Sequence, residues 1–218
     1  MTSAVVTEFV SEKPLLRGIP HSVGAFVALP AAILCVVHAS SGDGATGAVV
    51  YGLSLLFLLS TSAIYHTPTW TPRKRMWLRR VDHLAIFVLI AGSYTPICLI
   101  ALPPEEGRLM LIAVWTCAGL GALLSLFWPM APRWLNVGLT VTMGWLILPY
   151  GLVIIDALGP VNIALLTLGG VLYSLGGLAY AKRAPNPIPA VFGHHEVFHC
   201  LVLTAAACHY AVIWRLVA

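Results

Sequence analysis

The run LMLIAVWTCAGLGALLSLF, Leu109–Phe127, holds 19 residues without one charged side chain. Wound as a helix it would be about 28 Å long, close to the hydrocarbon thickness of a bilayer. Its flanks are sharp. Pro103-Pro104-Glu105-Glu106-Gly107-Arg108 precedes it and Trp128-Pro129 follows it. Proline, glycine and charge end an apolar helix in this way. In hydrocarbon every backbone N–H and C=O must be satisfied within the segment, so the form predicted here is a spanning helix.

Outward from this run the pattern repeats. His21–Ala39, Thr46–His66 and Asp82–Leu102 precede it, and Leu135–Ile155, Val161–Ala181 and His195–Leu216 follow. The breaks fall at 40–44, 67–80, 103–107, 129–133, 156–160 and 182–189. Pro30, Pro96 and Pro149 lie within or near the ends of spans and are expected to bend them. The reading is a single all-α integral membrane domain over residues 1–218, a seven-transmembrane helix bundle behind a short N-terminal segment, residues 1–20. Composition agrees, with 59% hydrophobic and 9% charged residues. Soluble domains carry roughly a quarter charged residues, and a soluble fold of this length could not hide so much apolar surface.

The basic residues give the orientation. With seven spans, one side receives Lys13, Arg17, Arg73, Lys74, Arg75, Arg79, Arg80, Arg133, Lys182 and Arg183. The other side receives only Arg108 and Arg215. An excess of Lys and Arg marks the cytoplasmic face, so the N-terminus is expected to be cytoplasmic and the C-terminus outside. Six spans would scramble the partition. Trp70, Trp77, Trp128, Trp134 and Trp214 fall at or near span ends, as an interfacial aromatic belt would place them. The stretch to Gly18, with Glu8, Glu12, Lys13 and Arg17, lacks the apolar core of a cleavable signal, so the first span is expected to direct insertion. The net charge of +4 sits in short loops, not on a basic face, which argues against nucleic acid as a partner. No soluble partner is indicated; the basic stretch Arg73–Arg80 reads as a loop that meets anionic lipid headgroups. Cys35, Cys98, Cys117, Cys200 and Cys208 lie in apolar runs without CxxC spacing and read as small packing residues.

Ionisable groups inside spans are costly and usually functional. Three places stand out, each at the cytoplasmic end of its helix. Ser62 and His66 are four apart at the end of span 2, Asp82 opens span 3, and His195 and His199 are four apart at the start of span 7. Two imidazoles at i and i+4 share a helix face and can reach one metal ion. Three imidazole nitrogens and a water would give tetrahedral zinc with an open fourth position. Asp82 could then hold or deprotonate that water, and Ser62 could hydrogen-bond to it or to a ligating histidine. The blander readings stand beside this one. An isolated HxxxH is weak, and Asp82 could simply pair with Arg79 or Arg80. His38 and His209 read as interfacial polar residues, and His21 and His83 as interfacial or supporting groups.

These residues resemble a known family. Ser62-x3-His66, Asp82-His83-Leu-Ala-Ile-Phe with Ala91-Gly-Ser-Tyr-Thr-Pro96 behind it, and His195-Glu196-x2-His199 look like the three signature motifs of the hemolysin III family. That family is the bacterial branch of the progestin and adiponectin receptor superfamily and is distantly similar to alkaline ceramidases. The resemblance runs from about Arg17 to His209. It implies a seven-helix bundle with a cytoplasmic N-terminus and a zinc ion in the cytoplasmic part of the bundle. His66, His195 and His199 would be the ligands, with Ser62 and Asp82 the polar partners in catalysis. Members typically carry Thr-His early in span 1, where this chain has Pro20-His21. His194 is an adjacent alternative ligand that would face another side of its helix.

The expected function is a zinc-dependent hydrolase of the cell (inner) membrane, acting on a membrane lipid amide or ester that enters from the cytoplasmic leaflet. Two alternatives stand beside it: a sensor or regulator of membrane state in which zinc is structural, and a pore-forming cytolysin. The last fits a multi-span chain without a polar channel-lining stripe least well.

Overall fold

The computed structural model describes residues 13–218. Their helices are α1 (Ile19–His38), α2 (Gly42–His66), α3 (Pro72–Ile100), α4 (Pro104–Phe127), α5 (Arg133–Gly144), α6 (Gly151–Lys182) and α7 (His194–Val217), with a 3₁₀ turn at Leu148–Tyr150 between α5 and α6. The described residues form no strand. Among the described residues six segments are long and apolar enough to cross a membrane: α1 to α4, the composite stretch Arg133–Lys182, and α7. Residues 1–12 of the expected N-terminal segment, with Glu8 and Glu12, lie outside the described residues.

The helix ends follow from local chemistry. Gly18 enters α1 at φ 85°, a left-handed conformation that only glycine adopts at little cost. A Cβ there would also lie 2.5 Å from Thr67 Oγ1, so Gly18 seats the start of α1 against the end of α2. Ser41 caps α2 by accepting the Gly44 N–H at 2.9 Å. Pro72 and Pro104 open α3 and α4 at the first turn, where a missing N–H costs nothing. Glu196 closes the first turn of α7 by accepting the Gly193 N–H at 2.8 Å.

Close approaches fix the directions of the helices. A Cβ on Gly47 would meet Pro96, and one on Gly92 would meet Ser54, so α2 and α3 run antiparallel with almost no gap. Gly107 lies against Cys98 and Gly121 against the Phe87 ring, which sets α4 antiparallel to α3. Gly52 on Ala32 and Gly24 beside Leu59 do the same for α1 and α2. Gly169 against His209 and Gly176 against Phe198 pair α6 with α7. Finally, α1 and α7 run in the same direction. His21 stacks on His199, His38 stacks on Trp214, and Tyr210 Oη donates to the Ala31 carbonyl at 2.9 Å.

The structure corrects two expectations. The first concerns Arg73–Arg80, which is not a loop but the opening turns of α3. Charge ends an apolar span, yet Arg, Lys, Met and Leu are good helix formers, and nothing between Pro72 and Asp82 breaks the backbone. The second concerns 135–155. Inside the expected fifth span α5 stops at Gly144, whereas the expected break at 156–160 is present: Gly159 leaves the helical region at φ 72°, ψ 169° just before Pro160. Pro149 lacks an N–H and restricts the residue before it, which accounts for the interruption. Tyr94 accommodates the interruption. Its hydroxyl donates towards the Gly144 carbonyl at 2.9 Å and accepts the Ile147 N–H at 3.1 Å. The chain doubles back at Gly159–Pro160. Arg133 lies over the Tyr180 ring, Val137 faces Gly177, and Trp145 Nε1 donates to Ser174 Oγ at 3.0 Å, so α5 is antiparallel to the C-terminal part of α6.

The outer surface is apolar. Phe26, Phe127 and Leu152 are 84%, 83% and 81% exposed, among many other exposed aliphatic side chains. Water-soluble monomers rarely leave contiguous apolar area of this kind uncovered. The cysteines are all free, with Cys35 and Cys98 packed in the interior.

Candidate metal centre

Six of the helices bring one end to a shared cavity of about 780 Å³. Its wall takes His21 from α1, Ser62 and His66 from α2, Asp82 and His83 from α3, Arg133 from α5, Tyr180 from α6, and His195 and His199 from α7. The same wall continues inward through Ile86, Ile90 and Val141 to Trp145, Tyr173 and His209.

The last turn of α2 and the first two turns of α7 supply the histidines. Their i, i+4 spacing puts His195 and His199 on one face, and the antiparallel approach of α2 sets His66 opposite. One ring nitrogen from each of the three lies within 4.8 Å of the others. His66 Nε2 and His195 Nε2 are 3.1 Å apart. In tetrahedral zinc with Zn–N near 2.0–2.1 Å, nitrogen ligands stand about 3.3 Å apart, so this spacing suits one small cation. His66 and His199 are buried and His195 is half-buried, and imidazole is a preferred donor for zinc among first-row metals. The donor set therefore fits the ion that the sequence implies.

Asp82 stands beside the cluster, its Oδ2 3.9 Å from His66 Nε2. Ser62, one helical turn before His66, turns its hydroxyl towards the Asp82 carboxylate. Both side chains are buried. All five residues singled out from the sequence thus converge. His194 does not join them: it starts α7, and its N–H binds Asn186 Oδ1 at 3.1 Å. His83 lines the cavity without entering the cluster. His38 stacks on Trp214, away from the cluster. His209 lies ten residues beyond His199 on α7, about 15 Å along the helix, where it forms part of the inner wall.

Two features were not foreseen. His21 lies flat against His199, with centroids 3.7 Å apart and planes 10° from parallel. This contact buffers one face of a cluster histidine and joins α1 to the site. Arg17 pairs with the fully buried Glu196, which sits between His195 and His199 in sequence. The partners are 179 residues apart, so no local pattern announces the pair. The E in His195-Glu-x2-His199 carried a signal of its own: a carboxylate three residues after Gly193 is a helix-capping pattern.

Fold and site together define an all-helical, multi-pass membrane protein with a buried three-histidine cluster at one end of an internal cavity. A family model described as "Haemolysin-III related" matches residues 9–210, and the chain belongs to that family, within the progestin and adiponectin receptor superfamily. It is 32% identical over 208 residues to Hemolysin-3 of Bacillus cereus, covering 93% of this chain and 90% of that one. It is 31% identical over 203 residues to the Hemolysin-3 homolog of Bacillus subtilis (strain 168), covering 91% and 92%. The human monocyte to macrophage differentiation factor is 28% identical over 202 residues, covering 88% and 80%.

Proposed function

We propose that this chain is a zinc-dependent hydrolase of the cell membrane that cleaves a lipid amide or ester. It crosses the membrane seven times with its N-terminus in the cytoplasm. The observation that carries the reading is the joining of a three-imidazole cluster and a buried Ser62–Asp82 pair to a cavity whose inner wall is largely apolar. An acyl chain fits the inner wall, and its carbonyl then falls at the level of the histidines.

Zinc, when bound, would supply a Lewis acid for the scissile carbonyl and for the attacking water. His66, His195 and His199 would hold the ion. Asp82 takes the proton of the attacking water and passes it to the leaving oxygen or nitrogen. Ser62 orients the Asp82 carboxylate. Ile86, Ile90 and Val141 keep bulk water from the acyl side.

The seven-span reading is supported by the ten-to-two partition of basic residues and by the antiparallel course of α5 and α6, which makes the composite stretch Arg133–Lys182 two passes. The parallel course of α1 and α7 agrees with an odd number of spans. A reporter fused after Ala218 should then lie outside the cell; a cytoplasmic reporter would overturn the topology. Activity is tested by fatty acid release from acyl esters and amides in nanodiscs, with Asp82→Asn beside wild type. Release that depends on zinc and on Asp82 supports the hydrolase reading, and no release from either bond type by zinc-loaded protein opposes it.

A further inference from the structure

The mouth of the cavity carries a charge pattern that a neutral substrate would not need. Lys13, Arg17, Arg75, Arg79, Arg133 and Arg183 all line it. Among the described lining residues the one carboxylate is Asp82, and Arg17 is matched from behind the wall by Glu196. A cytoplasmic excess of Lys and Arg is ordinary in a membrane protein, so the number alone decides nothing. Placement decides it. Arg73, Lys74, Arg80 and Lys182 are not in the lining, whereas α3 sends Arg75, Arg79, Asp82, Ile86 and Ile90 into it at helical spacing. Because Arg73–Arg80 is helix and not loop, this stripe is continuous from cation to acid to aliphatic side chain.

The spacing sets a scale. Arg79 and Arg75 stand three and seven residues before Asp82, roughly 4 and 10 Å along the axis. The apolar wall begins one turn beyond Asp82, on the opposite side of the site. Lys13 shares the mouth; partial burial, then the cationic Arg75 and Arg17, hold its ammonium pKa below the usual value. The described lining residues thus carry a net positive charge in a partly desolvated funnel, with Arg75, Arg79 and Arg133 each having contacts of their own, and such a net charge is stabilised by a bound anion.

We propose that the mouth selects an anionic amphiphile, an acyl ester or amide whose leaving group carries a phosphate or carboxylate some 4–10 Å from the scissile carbonyl. The acyl chain points inward and the charged end meets Arg75, Arg79 and Arg183. This rests on the hydrolase reading above for the bond that breaks. Water adds its oxygen to the acyl carbon, the C–O or C–N bond breaks, and the leaving oxygen or nitrogen takes a proton. The products are a fatty acid and an anionic alcohol or amine.

The test uses the zinc-loaded full chain in nanodiscs of neutral, zwitterionic lipid, and three uncleavable probes of one chain length: hexadecyl phosphate, hexadecylphosphocholine and hexadecyl glycerol ether. Wild type should bind the phosphate at least about tenfold more tightly than the other two, the fold-change of one charge-assisted contact. The preference should shrink between 50 and 500 mM salt as screening shortens the reach of the cations. Arg75→Gln with Arg79→Gln should bring the three probes close together, while Arg73→Gln with Lys74→Gln should leave the preference intact. If the first pair does not fold, Arg183→Gln and the salt series carry the test. Equal binding of the three probes by wild type, or a preference untouched by both Arg75/Arg79 and Arg183 replacement, overturns the proposal. Binding is read without turnover, so a charge preference in a protein that hydrolyses nothing sustains the anion site and fails only the hydrolase. Cleavage of neutral-headgroup esters as fast as charged ones does the reverse.

Discussion

Arg17, just ahead of α1, and Glu196, in the first turn of α7, form an ion pair in which the carboxylate is 1% exposed. The second carboxylate oxygen of Glu196 accepts the Gly193 N–H. One side chain therefore closes the turn that carries His195 and ties it to the opposite end of the sequence. Removing one partner of a buried pair typically costs about 3–5 kcal/mol, because the other charge is left uncompensated. Arg17→Ala should lower the thermal midpoint in detergent more than Glu196→Ala, because it strands the fully buried carboxylate, whereas Glu196→Ala strands a partly exposed guanidinium with the milder desolvation. The double variant should be less destabilised than the sum of the two. Additive losses would show that the pair does not act as a unit.

Tyr94 carries the second prediction. Its hydroxyl serves the backbone groups freed where α5 ends, at Gly144 and Ile147. Tyr94→Phe leaves them without a partner in an environment that supplies little water. A loss of about 1–3 kcal/mol is expected, together with faster amide exchange over residues 144–150. Unchanged exchange there would contradict the assignment.

Helix spacing gives a third. Gly47 faces Pro96, whose Cβ and Cα would lie 2.7 and 2.8 Å from a new methyl group, whereas Gly119 has nothing within 4 Å. Gly47→Ala should destabilise by about 1–3 kcal/mol through overpacking of α2 on α3. Gly119→Ala should be neutral or slightly stabilising, since alanine is the better helix former. Thermal unfolding of the two variants side by side distinguishes them, and equal behaviour would refute the packing argument.

The fourth separates holding a metal from using it. Asp82→Asn keeps the size of the side chain but not its basicity. It should retain zinc while lipid hydrolysis falls about 10²–10⁴-fold, the range for a general base. Ser62→Ala should fall less, since Ser62 only orients the carboxylate. Zinc lost from Asp82→Asn would place Asp82 among the ligands instead.

Much of this was legible in the sequence because hydrophobic length and i, i+4 spacing are local. The runs around Leu109–Phe127 and the pairs Ser62/His66 and His195/His199 needed no tertiary knowledge. The charge partition then put Asp82 at the same depth, and the structure places it beside His66. Hydropathy misplaced the start of α3, because it registers where lipid ends and not where the helix does. That error hid the stripe from Arg75 to Ile90. The break at 145–150 was missed because Leu146, Ile147 and Leu148 look as apolar as any spanning residue; the signal was Pro149, read only as a bend. The stacking of His21 on His199 and the Arg17–Glu196 pair join residues almost a whole chain apart, and only the parallel packing of α1 on α7 reveals them.

The central claim is a metal held by three histidines, and elemental analysis of the purified protein tests it most directly, with His66→Ala and His195→Ala beside wild type. The account predicts about one zinc per chain in wild type and its loss in both variants, each still folded. Wild type without zinc after preparation free of chelators, or variants that keep the full complement, would contradict it.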